Sequence, residues 1–306
     1  MKKKITIATR ESPLALWQAR HAAECLRSAW KNLTVELLPC TTRGDEILDR
    51  PLVEIGGKGL FIKELEVQLL SGRADMAVHS LKDMTAEIPE GLCLAAVTKR
   101  EDPRDVLVSN RYETLDKLPQ GAVIGTSSLR RSSQLLHRRG DLRIKPLRGN
   151  LQTRLKKLDA GDYDAIILAA AGLKRMGMEE RIRSYITTEE SIPACGQGIM
   201  AVEARQDSEI IQLLSCLHDE EVAKAVSAER AFLKRVGGDC KVPAGMYARP
   251  SSKGELSASA FISSLDGKRF FSMEMTCAST DAEQMGVRMA EGLLDRGGRD
   301  VLLELQ

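Results

Sequence analysis

The sequence predicts an α/β protein built on mostly parallel sheets, followed by a small α+β domain, and two observations carry that expectation. Through the first two thirds of the chain short apolar runs alternate with helix-period segments, the pattern of strands covered by helices. After about residue 219 the pattern becomes one helix, two alternating strand-like stretches and a closing helix. The chain has 306 residues, 43% of them hydrophobic, enough for two or three domains with their own cores. Aromatic residues make up only 4%, so those cores are expected to be aliphatic.

Ile5 to Ala8 reads as the first strand, and Ser12-Pro13 as an N-cap and first helical residue opening a helix through Trp17 toward Leu26. Val35 to Leu38 is the next strand. Phe61, Leu65 and Leu69 fall at i, i+4 and i+8, a stripe that lays a helix on a sheet, and Asp75 to His79 follows as a strand. Ala122 to Gly125 runs as a strand into Thr126-Ser127-Ser128, with a helix from Leu129. Asn150 caps a helix with Leu151, Leu155 and Leu158 inward, ended by Gly161, before the buried strand Asp164 to Ala169. In the last third a helix holds Ala225 to Leu233, strands run near 255 to 262 and 269 to 277, and a helix starts at Asp281.

No run approaches the roughly 20 apolar residues of a membrane span. The opening MKKKITIATR has too short an apolar stretch for a signal peptide, which leads to the expectation of a cytoplasmic protein. Seven widely spaced cysteines without a CxxC pair suggest neither a disulfide framework nor a zinc site, and four scattered histidines give no metal-ligand spacing, so no metal is expected. The net charge of +2 hides an asymmetry: from Gly125 to Lys157 seven Arg and three Lys face one acid, Asp141. That run is either a solvated face or a site for something anionic. It contains no Phe, Tyr or Trp to stack on bases, which argues against nucleic acid.

The polar groups that could carry chemistry fall where strands end and helices begin, the usual ligand position in α/β sheets. Arg10 and Ser12 follow the first strand. Thr126, Ser127 and Ser128 follow another, with Arg130 and Arg131 in the first turn of the next helix; Arg148-Gly149-Asn150 repeats the arrangement ahead of Arg154. Cations at a helix N-terminus oppose the dipole, so an anion is expected to compensate them, and the planar arginine fork suits carboxylates. Lys82-Asp83 ends a strand; Asp83 is an ion-pair partner or the acid available for proton transfer, and His79 beside it is read as structural. Cys240 sits in Gly237-Gly238-Asp239-Cys240-Lys241-Val242-Pro243, a polar loop where Lys241 favours thiolate. It is either an inert loop thiol or the chain's nucleophile; the other six cysteines read as small core residues.

Ten stretches in fixed order resemble the porphobilinogen deaminase family: ATRESPLALWQA (8 to 19), TTRGD (41 to 45), GGKGLFIKELE (56 to 66), ADMAVHSLKD (74 to 83), KREDPRD (99 to 105), GTSSLRR (125 to 131), LRGN (147 to 150), DAIILAAAGLKR (164 to 175), GQG (196 to 198) and the Cys240 loop. Two positions depart from the family pattern: Asp239 separates the glycine pair from Cys240, and Cys195 stands where a small apolar residue is commoner.

The resemblance implies two lobes like those of periplasmic binding proteins and a third, small α+β C-terminal domain. Residues 1–99 with 195–218 would form the first lobe, 100–194 the second and 219–306 the third domain, with the active cleft between the lobes. It implies an enzyme that joins four porphobilinogen molecules head to tail with loss of ammonia, on a dipyrromethane primer held by a thioether to Cys240, and then frees the linear tetrapyrrole hydroxymethylbilane by hydrolysis. Asp83 would be the catalytic carboxylate. Arg10, Ser12, Lys82, Thr126, Ser127, Ser128, Arg130, Arg131, Arg148, Gly149, Arg154 and Arg175 match positions that bind primer and substrate carboxylates, while Lys58 and Phe61 belong to a loop expected to cover the cleft. The family further implies a monomer. The rival readings are a two-lobed anion receptor without Cys240 chemistry and, less well supported, a basic nucleic-acid module.

Overall fold

The computed structural model describes residues 2–42, 62–237, 242–252 and 254–305. In chain order its strands are β1 (Lys4–Arg10), β2 (Thr34–Cys40), β3 (Met76–Ser80), β4 (Leu92–Val97), β5 (Asp105–Val108), β6 (Val123–Gly125), β7 (Arg143–Lys145), β8 (Ala165–Ala169), β9 (Ser184–Ile186), β10 (Met200–Arg205), β11 (Ala244–Pro250), β12 (Glu255–Ser263) and β13 (Phe270–Ala278). The principal helices are α1 (Pro13–Ala29), α2 (Lys63–Leu70), α3 (Leu129–Arg138), α4 (Leu151–Asp159), α5 (Ala170–Arg175), α6 (Ser208–Leu214), α7 (Glu220–Arg235) and α8 (Ala282–Leu293). The chain divides into two compact units, Met1–Glu101 with Ile199–Ala223, and Asp102–Gly198 with Lys224–Gln306.

The first unit holds one five-stranded sheet in the order β2-β1-β3-β10-β4. Helix α1 begins where expected: Pro13 needs no N–H there, and the Ser12 hydroxyl accepts from the Ala15 N–H at 3.4 Å. Its buried stripe of Ala19, Ala22, Ala23 and Leu26 lies on Ile5, Ile7, Val35 and Met76, with Ile210 and Leu213 of α6 in the same cluster. Leu65 and Leu69 of α2 bury fully with Ala8 and Ala77, the strand residues of opposite parity to Ile7 and Met76, as the period of two in a strand requires. Each of those leucines contributes about 1.5–3 kcal/mol of apolar burial. Phe61, the first member of the expected stripe, lies outside the described residues.

The second unit contains another five-stranded sheet, ordered β7-β6-β8-β5-β9, and a three-stranded sheet, β11-β12-β13. Alternation along β8 is strict: Ile166 and Leu168 pack toward Leu155, Leu158 and Leu173, while Ala165 and Ile167 pack toward Leu135 and Leu142. Helices therefore cover both faces, as in the first sheet. In the C-terminal portion α7 and α8 lie on β11 and β12 through Phe232, Met246, Leu256, Ile262, Met285 and Met289. A Cβ on Gly286 would stand 2.0 Å from the Ala228 carbonyl oxygen, so only glycine lets the two helices approach this closely.

Both five-stranded sheets are mostly parallel, as expected, with one strand in each running against the rest. β1 pairs in parallel with β2 and β3, and β6 with β7 and β8, but β10 and β5 run antiparallel to both neighbours. The chain enters β5 directly from β4, and β10 directly from β9, so each sheet takes one strand from a crossing segment rather than from a βαβ unit. The apolar runs predicted the strands, but their direction depends on those connections.

Candidate active site

In the first unit the carboxyl ends of neighbouring parallel strands β1 and β3 gather the expected groups. β1 ends on Arg10, Ser12 caps α1, and β3 runs into a single 3-10 turn, Leu81–Asp83. Arg10, Ser12 and Asp83 consequently line one small pocket together with Gln18, His79 and Ser80. Gln18 Nε2 donates to Ser80 Oγ at 3.0 Å, fixing the pocket wall. Asp83 and Lys82 are both half-buried in the turn. Behind them the His79 Nε2 stands 3.2 Å from Glu203 Oε2, both side chains enclosed; the angles do not make this contact a hydrogen bond.

In the second unit two loops at the ends of β6 and β7 are tied together. Ser127 Oγ donates to the Leu147 carbonyl at 3.1 Å and accepts from the Leu147 N–H at 3.0 Å. Ser128 caps α3, accepting from the Arg131 N–H, and Thr126 Oγ1 accepts from the Ser128 N–H at 3.2 Å. Beside them Asn150 caps α4, accepting from the Thr153 N–H at 2.9 Å. Gly149 has φ of +111°, and a Cβ there would meet Thr153 Cγ2 at 2.6 Å, so the turn that presents Arg148 admits glycine alone. Arg154 Nε donates to the Gly149 carbonyl at 2.8 Å, and Arg175 Nη2 to that of Gly198 at 2.7 Å.

Arg148 Nη1 is enclosed and has no hydrogen-bond partner among the described residues. A buried guanidinium nitrogen without an acceptor is destabilising, and a carboxylate would satisfy it. This donor set therefore fits an acidic ligand.

Arg130 and Arg131, expected to bind ligand carboxylates, meet a carboxylate of the chain itself. Both are buried, and they close on Asp105, the first residue of β5: Arg130 Nη2 donates to Oδ2 at 2.7 Å, and Arg131 Nε and Nη2 to Oδ1 at 3.0 and 2.8 Å. Arg130 Nη1 also donates to the Ile192 carbonyl at 2.7 Å, and Arg131 Nη1 to that of Ile167 at 3.1 Å. Ser191 Oγ and Gln197 Nε2 complete the carboxylate's partners, at 3.1 and 3.0 Å. Burial alone would push the Asp105 carboxyl up, but the two guanidiniums outweigh it and hold the group well below the usual carboxylate range. Asp105 thus supplies an anion at the basic helix start.

Six cysteines lie among the described residues and all are free thiols. Only Cys195 is buried; Cys216 is exposed and the rest are half-buried, a more mixed set than the core residues expected. Burial is the chief cause that pushes the thiols of Cys25, Cys40, Cys93, Cys216 and Cys277 up, away from thiolate. Cys240, Lys58 and Phe61 lie outside the described residues.

Residues 5–213 match the family described as porphobilinogen deaminase, dipyromethane cofactor binding domain, and residues 223–295 match the porphobilinogen deaminase C-terminal domain. The chain belongs to the porphobilinogen deaminase family. It is accordingly a transferase with hydroxymethylbilane synthase activity, its substrate is porphobilinogen and its cofactor is dipyrromethane. Among solved structures it is similar to the periplasmic VFT2 domain of Bordetella pertussis BvgS, at 14% identity over 70% of this chain and 86% of that one, with a TM-score of 0.44. It is also similar to the methionine-binding protein MetQ, at 14% identity over 72% and 93%, TM-score 0.47. A third is the aliphatic sulphonate binding protein SsuA of Escherichia coli, at 13% over 77% and 70%, TM-score 0.39. No helix among the described residues is long and apolar enough to cross a membrane.

Sequence reasoning missed Gln18, Asp105 and Glu203. Gln18 gave no signal, being one polar residue within the buried stripe of α1. Glu203 did give one: it is a lone acid inside the apolar strand Met200–Arg205. Asp105 lies within the family-like stretch 99 to 105, yet nothing local joins it to arginines 25 residues away.

Proposed function

We propose that the chain builds hydroxymethylbilane by joining four porphobilinogen molecules head to tail, each with loss of ammonia, and frees the product by hydrolysis. The observation that carries this reading is the convergence of Asp83, Arg10 and Ser12 on one pocket at the ends of β1 and β3. When bound through a thioether to Cys240, the dipyrromethane supplies the free pyrrole carbon at which growth starts. Asp83 stabilises the cationic pyrrole that forms as ammonia departs, an electrostatic role that a preorganised carboxylate performs without reorganisation. Arg10, Ser12 and Lys82 hold acetate and propionate groups on one unit. Thr126, Ser127, Ser128, Arg148, Gly149, Arg154 and Arg175 do so on the other, where the unsatisfied Arg148 Nη1 supports the assignment. Arg130 and Arg131 act indirectly, by fixing the start of α3 on Asp105.

The raised thiols elsewhere in the chain support Cys240 as the attachment point, and Lys58 and Phe61 are assigned to a covering loop. We assign 1–99 with 195–218, 100–194 and 219–306 to three domains of a cytoplasmic monomer. Intact mass tests the core of this reading: the purified protein is expected to exceed its sequence mass by one dipyrromethane, Cys240→Ala to lose the increment and turnover, and Asp83→Asn to keep the increment but lose turnover severely. An unmodified, folded protein inert toward porphobilinogen would sink it and leave an anion receptor.

A further inference from the structure

Glu203 is wholly enclosed in the middle of β10, and neither carboxylate oxygen has a hydrogen-bond partner among the described residues. A lone carboxylate in such a place costs several kcal/mol, and a sheet built for stability alone would carry an apolar side chain there. The cationic or proton-bearing group that meets it is the His79 imidazole, 3.2 Å away through Nε2. His79 is itself buried, yet it lines the pocket that holds Asp83, Arg10 and Ser12. Glu66 of α2 stands near the same pair: burial first, and then the Glu203 charge, push its carboxyl up. β3, β10 and α2 thus bring two acids and one imidazole together beside the Asp83 pocket, and holding substrate carboxylates, which falls to Arg10, Ser12 and Lys82, does not account for them.

We propose that His79 is a second catalytic residue of this pocket, the acceptor of the proton lost from the growing chain at each addition, and that Glu203 is the residue that positions it and balances its charge. The inference rests on the deaminase reading above. Each addition breaks the C–N bond of porphobilinogen, and the electron pair leaves with ammonia. The α-carbon of the chain's terminal ring then forms the new C–C bond and carries one proton too many. That proton passes to His79, its C–H electron pair returning to the ring, and Glu203 faces the resulting imidazolium. With Nε2 turned toward Glu203, Nδ1 is the nitrogen left to accept. Ammonia takes the proton from His79 and departs as ammonium, which restores the pair. Asp83 stays ionised against the cationic ring, so proton removal and charge stabilisation fall to different groups.

The test measures turnover with porphobilinogen and with porphobilinogen deuterated at its free α-carbon, on protein whose cofactor increment is confirmed by intact mass. His79→Gln is expected to lower kcat about 10²-fold, with KM changed less than about threefold and a primary isotope effect larger than in the unaltered protein. Glu203→Gln, nearly isosteric, is expected to lie between the two. Variants with unaltered turnover, or with reduced turnover and an unchanged isotope effect, would overturn the proposal and leave the pair structural. Should either variant fail to fold, His79→Asn takes its place, with the same two readouts and the same overturning outcomes. Failure of the unaltered protein to release ammonia from porphobilinogen at all defeats the deaminase reading instead.

Discussion

Arg131 donates twice to a single oxygen of Asp105, from Nε at 3.0 Å and from Nη2 at 2.8 Å, while Arg130 occupies the other oxygen. All three groups are enclosed, so removing the carboxylate leaves two buried cations without their counterion. Asp105→Asn is expected to lower unfolding stability by about 3–5 kcal/mol. Urea denaturation at neutral pH, followed by circular dichroism, checks it.

The same carboxylate gives acid lability a definite sign. Its value in the folded protein lies below that of the unfolded chain, so its contribution is complete above about pH 4. It shrinks as the unfolded chain takes up the proton, and it is lost as pH falls toward the folded value. The stability difference between the unaltered protein and Asp105→Asn should therefore be constant from neutrality down to about pH 4–5 and narrow below that. A difference that widens in acid contradicts the assignment.

Arg131 and Arg154 separate by role although both belong to one basic run. Arg154→Leu should leave the thermal midpoint near its original value and stall elongation, visible by mass as enzyme carrying a partial chain. Arg131→Leu should lower stability by about 3–5 kcal/mol before any effect on elongation is measurable.

Gly149→Ala puts a Cβ into a left-handed turn and against Thr153. The backbone cost alone is about 1–3 kcal/mol, and Arg148 is displaced with the turn. Weaker retention of the dipyrromethane, read as a mixed mass spectrum, is the expected result. Adding Thr153→Ser removes the Cγ2 contact but leaves the 2.7 Å approach to Cβ and the backbone strain, so recovery should be slight.

The parts of this protein legible in its sequence are those written in neighbouring residues. Ser12-Pro13 and Asn150 mark helix starts because a cap and its N–H partner lie three residues apart, and the leucines of α4 mark its face for the same reason. The strand-end placement of Arg10, Asp83 and Thr126 was legible too, since it follows from where each apolar run stops, whereas the strand ahead of Arg148 carries no apolar run. The distant partners were not. Asp105 and its arginines, or His79 and Glu203, meet only because strands from far along the chain are paired, and a basic run looks alike whether its counterion is a ligand or a buried aspartate.

The position of β10 between β3 and β4 has a consequence for how the chain is made. Among the described strands β4 has no neighbour but β10, which begins about a hundred residues later. At roughly 5–20 residues per second, a ribosome needs on the order of 5–20 s to deliver the missing strand. Throughout that interval the finished N-terminal segment presents two open strand edges, a template for pairing with other nascent chains. Chaperone dependence during synthesis should therefore fall on the first hundred residues, although in the native fold β1 and β3 lie in the buried core of the first unit.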